Sequence, residues 1–111
     1  SYNKRKVYEV ALDKPLSQAD AQAIVDGISL EDGDIAADDL AFSDKTKKVV
    51  GIEIHSGRNR IVRRIFEHFG YNVTRLDRVY FAGLTKKNLK RGQWRFLTDA
   101  EVRMLKSGRY E

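Results

Sequence analysis

Residues 55–71 leave this chain little conformational freedom. Ile61, Val62, Ile65, Phe66 and Phe69 recur at i, i+1, i+4, i+5 and i+8, so they share one side of a helix, while Arg60, Arg63, Arg64 and Glu67 fall on the other. Gly70 stands where a helix C-terminus takes a left-handed residue, and Ser56-Gly57 forms a turn ahead of the helix. Just upstream, residues 48–55 alternate cleanly, with Val50, Ile52 and Ile54 on one face. A strand therefore runs straight into a glycine turn and an amphipathic helix, and the helix must lay its apolar side on a sheet.

The charge of that helix is unusual. Arg58, Arg60, Arg63 and Arg64 crowd its first turns, where the helix dipole is positive and each cation costs roughly 0.3–1 kcal/mol. A solvated charged face is the plain explanation. Arginine rather than lysine, at the wrong helix end and beside a tight turn, points instead to a site that grips phosphates or a carboxylate.

The remaining elements supply the sheet. Residues 4–12 alternate as a strand, with Val7, Glu9 and Ala11 on one face and Tyr8, Val10 and Leu12 on the other. Pro15 ends it, Ser17 is an N-cap, and residues 19–26 form a helix burying Ala21, Ile24 and Val25, stopped by Gly27. Residues 28–30 read as a short strand, 31–34 as a turn, 35–43 as extended and 44–47 as a polar hairpin connection. Residues 71–82 form a further strand whose apolar phase slips, which places a bulge near Arg75 to Arg78. A basic loop over 83–92, a short strand over 93–97 and a capped helix from Thr98 to about Lys106 follow. The order from 4 to 82 is β-α-β-β-α-β. That predicts an α+β, ferredoxin-like βαββαβ unit with an antiparallel sheet and two helices on one face, followed by a C-terminal strand and helix.

Length and composition bound the function. The 111 residues suit one domain, the formal charge is +5, and cysteine is absent. Such a chain is drawn to polyanions, forms no disulfide and lacks the usual cysteine zinc ligands. No apolar run approaches a membrane span, so a cytoplasmic protein with no membrane partner is expected. The acidic run Glu31, Asp32, Asp34, Asp38 and Asp39 lacks calcium-loop spacing and reads as a solvated turn. His55 and His68 lie on different elements with no patterned third ligand, so no metal site is expected. Nucleic acid fits better: the helix arginines are joined by Arg75, Arg78, Lys86, Lys87, Lys90 and Arg91, with Tyr8, Tyr71, Tyr80 and Trp94 as candidate stacking surfaces. Among these aromatics Tyr8 stands out, because it sits beside Lys4, Arg5 and Lys6. The others are ordinary core candidates.

Three stretches carry a resemblance. They are Gly57-Arg58-Asn59-Arg60-x-Val62-Arg63-Arg64-x-Phe66-Glu67, then Gly70-Tyr71-x-Val73-x-Arg75-Leu76-x-Arg78-Val79, and Leu89-Lys90-x-Gly92-x-Trp94-Arg95-x-Leu97. With Lys6-x-Tyr8-x-Val10, they make the chain resemble the RsuA-like family of bacterial ribosomal RNA pseudouridine synthases over nearly its whole length. The resemblance implies a ribosomal RNA partner and an isomerisation of uridine to pseudouridine with neither cofactor nor metal. It implies that Tyr8 packs against the target base, that Arg63 pairs with the catalytic aspartate, and that Ile54 lines the pocket floor. Arg58, Arg60 and Arg64, with Arg75, Arg78 and the four basic loop residues, are then the RNA-binding set. Many relatives carry Gln at the position of Ile61, which reads here as a packing variant.

One family segment has no counterpart. The nucleophile stands in Gly-Arg-Leu-Asp-x-x-Thr/Ser-x-Gly-Leu ahead of the lysine/tyrosine strand, and the 111 residues contain no such segment. Arg75-Leu76-Asp77 is a decoy: Thr74 replaces the glycine, Tyr80 replaces Thr or Ser, and the spacing to Gly83 is too long. The expectation is therefore a single domain, residues 1–111, forming the C-terminal part of a catalytic domain and inactive alone. Its partners would include the missing N-terminal half and a second copy joined through an exposed sheet edge. The alternative is a noncatalytic RNA-binding module of the same fold, which would bind RNA without turnover even when joined to upstream residues.

Overall fold

The structure, a computed structural model, describes residues 4–79. Chain order is β1 (Lys6–Leu12), α1 (Gln18–Asp26), β2 (Ile28–Leu30), β3 (Gly33–Ile35), β4 (Asp39–Phe42), β5 (Val49–Ile54), α2 (Ile61–His68) and β6 (Val73–Val79). Four strands form one sheet in the order β4-β5-β1-β6, every pair antiparallel, and β2 pairs with β3 in a separate hairpin. The class is α+β with an antiparallel sheet, as expected. The segment 35–43, expected as one extended run, is broken: β3 closes the small hairpin and Ala36 to Asp38 carry the chain across to β4. The expected basic loop, C-terminal strand and C-terminal helix lie outside the described residues.

Side-chain alternation explains which way the sheet faces. Tyr8, Val10 and Leu12 of β1 share a face with Ile52 and Val50 of β5 and with Leu76 and Val73 of β6. Ile24 of α1 and Ile61, Val62, Ile65 and Phe66 of α2 join that face in one buried cluster. Phe66, Ile24, Ile52, Ile54, Ile65, Val10 and Val50 are fully buried, each contributing about 1.5–3 kcal/mol through the water it sheds. Val25, expected in the core, is only half-buried.

Local chemistry fixes the element ends. Ser17 caps α1, its side-chain oxygen accepting from the Asp20 N–H at 3.1 Å. At the end of α2, Gly70 takes φ 86°, donating to the Glu67 carbonyl at 3.0 Å while Tyr71 N–H donates to Phe66 at 3.1 Å. This paired pattern is a Schellman cap, and the left-handed residue suits glycine.

The strand β6 corrects the expected bulge. Ala11 pairs with Arg75 but Leu12 pairs with Val73, so the extra residue is Thr74, not one of residues 75–78. Its hydroxyl donates to the Ala11 carbonyl at 3.2 Å. The bulge returns Val73 to the helix-covered face beside Leu76, and Val79, opposite Val7, lies on the other face.

Candidate functional site

The site is made where α2 begins. β5 delivers the chain to His55-Ser56-Gly57, and the Ile61 N–H donates to the Arg58 carbonyl at 3.2 Å, bending the chain into the helix. Arg60 holds the N-cap position with φ 53°, and its side chain makes no capping bond. This turn stands over the end of β1, because the strand register sets Lys6 opposite Ile54 and Tyr8 opposite Ile52.

Between the two lies a cleft of about 420 Å³. It is lined by Lys6, Tyr8, Ser56, Gly57, Arg58, Arg60, Ile61, Val62, Arg63 and Leu76. Among the described residues its lining therefore holds cations and an aromatic ring but no carboxylate. Tyr8 is half-buried, packed against the core on one side, and the Arg78 guanidinium carbon lies 5.7 Å from its ring centroid. Arg63 reaches the Val73 carbonyl in one long hydrogen bond, 3.4 Å, and makes no ion pair among the described residues. An anion entering the cleft would thus meet a guanidinium that is positioned but not neutralised.

The other arginines are placed differently. Arg58 donates through Nε to Asp32 Oδ2 at 3.4 Å and through Nη2 to Asp32 Oδ1, and reaches the Gly33 and Asp34 carbonyls at 3.0 Å each. Arg64 joins it, donating to Asp32 Oδ1 at 2.9 Å and to the Asn59 carbonyl at 2.9 Å. Hydrogen bonds from Arg58 first, then Arg64, hold the Asp32 carboxyl far below the usual carboxylate range, and Asp32 in turn raises Arg64. Arg60 sits 3.7 Å from Glu67, about two helical turns further on.

Arg75 lies outside the cleft. Facing away from the helices, it donates to Glu9 at 2.6 Å and pairs with Asp77, both of which raise its pKa, Glu9 the more. Asp77 shares that outward face, opposite Glu9, whereas the neighbouring Leu76 lines the cleft. The decoy aspartate is therefore on the wrong side of the sheet. Ile54 is fully buried, paired with the cleft residue Lys6, but does not itself line the cleft. Tyr71, a candidate stacking surface, is buried in the core. Lys86, Lys87, Lys90, Arg91, Tyr80 and Trp94 lie outside the described residues.

Sequence reasoning missed two participants. Leu76 enters the cleft through strand register, opposite Val10 on the helix-facing side of the sheet. Asp32 had the appearance of a solvated turn residue, and no local signal marks its partners 26 and 32 residues away.

Known proteins resemble this chain in sequence. Ribosomal large subunit pseudouridine synthase B of Bacillus subtilis is 41% identical over 85 residues, which cover 73% of this chain and 35% of that protein. The dual-specificity RNA pseudouridine synthase RluF of Escherichia coli K12 is 32% identical over 101 residues, covering 87% and 33%. The chain belongs to the family of bacterial RNA pseudouridine synthases. A crystal structure of a pseudouridylate synthase superposes with TM-score 0.63 at 30% identity, covering 91% of this chain and 44% of that one. No family model matches the sequence. The chain spans about a third of the length of these pseudouridine synthases.

Proposed function

We propose that this chain supplies the base-stacking and arginine side of a ribosomal RNA pseudouridine synthase active site, and that the nucleophilic aspartate comes from residues outside these 111. The carrying observation is that Tyr8 of β1 and Arg63 of α2, 55 positions apart, line one cleft to which no described residue contributes a carboxylate. In this reading a uridine leaves its stack, at a cost of a few kcal/mol, and seats its ring on Tyr8. The C1′–N1 bond breaks, the uracil turns, and C1′ bonds to C5; C5 loses a proton and N1 gains one. Arg63 faces the aspartate and keeps it ionised, since a nearby guanidinium favours the charged carboxylate. Lys6 and Arg60 stand at the same cleft and hold the strand whose base has been turned out.

The test uses the full-length enzyme that carries this chain, with release of tritium from C5-labelled uridine in ribosomal RNA. Arg63→Ala lowers turnover about 10²-fold or more, the scale seen when one charge-stabilising group is removed from an active site. Tyr8→Phe preserves RNA binding, because stacking survives. Unimpaired turnover in the Arg63 variant would remove its assigned role. Tight RNA binding without any label release from the unmodified enzyme would favour a noncatalytic module.

A further inference from the structure

Arg58 was expected among the RNA contacts, yet its side chain is spent inside the protein. Four of its hydrogen bonds go to the β2–β3 turn: two to Asp32, one to the Gly33 carbonyl and one to the Asp34 carbonyl. A guanidinium carries five N–H donors, so little of it remains for a phosphate. Its side chain is 25% exposed, against 57% for Arg60. The turn is shaped for this contact. Gly33 takes φ 128°, a conformation L side chains rarely adopt, and a Cβ built there would lie 3.9 Å from Arg58 Nη2. Arg64 adds a second guanidinium to the same carboxylate from one turn into α2.

We infer that Asp32 is a positioning residue: through Arg58 and Arg64 it fastens the β2–β3 hairpin to the start of α2 and so fixes the cleft wall on which Arg60 and Arg63 are carried. This deepens the proposed function and rests on it for the identity of the ligand. Two geometric facts support it. Arg58 lines the cleft with its own backbone turn, its N–H donating to Ser56 Oγ at 3.2 Å and its carbonyl accepting from Ile61. Arg64 also closes on the Asn59 carbonyl, so the turn before α2 is held at Arg58 and Asn59 by side chains that meet at Asp32. The arginines that looked like one cationic patch divide into two that build the turn, Arg58 and Arg64, and two that face the cleft, Arg60 and Arg63.

Salt dependence separates building from contact. Each lost phosphate contact on a single strand lowers the slope of log K against log salt by about 0.7. RNA binding by Asp32→Ala, Arg58→Ala, Arg58→Lys and the Asp32→Ala/Arg58→Ala double variant is measured across salt. Arg58→Lys keeps the charge and loses the fork. The expected result is equal weakening, several-fold, in all three single variants, no further loss in the double variant, and an unchanged slope. Asp32→Glu recovers part of the loss. The inference is overturned if Arg58→Lys binds like the unmodified protein, if Arg58→Ala flattens the slope by a full contact, or if the two alanine effects add. A second measurement needs no RNA: the Arg58 Nε–H NMR signal should be protected from solvent exchange in the unmodified chain and lose protection in Asp32→Asn. If the unmodified full-length enzyme fails to bind RNA, the proposed function falls, while this signal still decides the role of Asp32.

Discussion

The Tyr71 hydroxyl reaches back to the start of α1, donating to Asp20 Oδ2 at 2.7 Å and accepting from the Ser17 backbone N–H at 3.1 Å. Tyr71 directly follows the Schellman glycine, so the exit of one helix is pinned to the entry of the other. Tyr71→Phe leaves the ring in the core and removes both bonds. The expected cost is about 1–2 kcal/mol, since a backbone donor at the helix start loses its partner. Urea unfolding should show a lower midpoint with an unchanged slope; a changed slope would mean the native state itself had loosened.

Gly70→Ala tests the other half of that junction. With φ at 86° and no described residue within 4 Å of the Cβ that alanine would add, the penalty is conformational rather than steric. A loss of roughly 1 kcal/mol is expected. Gly70→Asn should lose less, because Asn tolerates the left-handed region better than alanine does.

The Asp32 carboxylate gives a pH signature. Its folded pKa lies below the unfolded value of about 3.9, because Arg58 and then Arg64 hold the charged form. As pH falls, the unfolded chain takes up this proton first, so the contribution is whole above that unfolded value and is lost as pH drops through the folded one. Thermal melts at neutral pH and at pH 3 should therefore differ more for the unmodified chain than for Asp32→Asn. Equal differences would show that Asp32 carries none of the acid sensitivity.

Arg75→Ala provides a contrasting surface variant. Arg75 faces away from the cleft and is held between Glu9 and Asp77. Affinity for ribosomal RNA and its salt slope should both remain within error of the unmodified protein, whereas Arg60→Ala should flatten the slope by about 0.7. A flattened slope for Arg75→Ala would place RNA on the outward face as well.

What could be read from the sequence was what is local. Val50, Ile52 and Ile54 alternate because one face of β5 carries the helices, and Ser17 and Gly70 mark helix ends through bonds closed within a few residues. Of the cations crowded at α2, Arg58 and Arg64 meet an anion within the fold, the Asp32 carboxylate. Its identity was hidden, because Asp32 belongs to a hairpin whose ion pairs span the fold. The Thr74 bulge was misplaced along the strand. The apolar phase slips between Val73 and Leu76, and the extra residue lies inside that interval at Thr74, upstream of residues 75–78; the later step from Leu76 to Val79 is a change of face, with Val79 opposite Val7.

Along β1 the helix-facing row runs from Leu12 and Val10, both sealed, to Tyr8, which is half open to the cleft. The interior does not stop at a wall there; it thins into a vacancy with the same apolar floor. A flat ring laid on Tyr8 would extend the hydrophobic layer by one more tier, so selectivity at this position becomes a question of fit. Enlarging Leu76, which is only partly buried, should then discriminate between bases by shape while leaving the grip on the strand untouched.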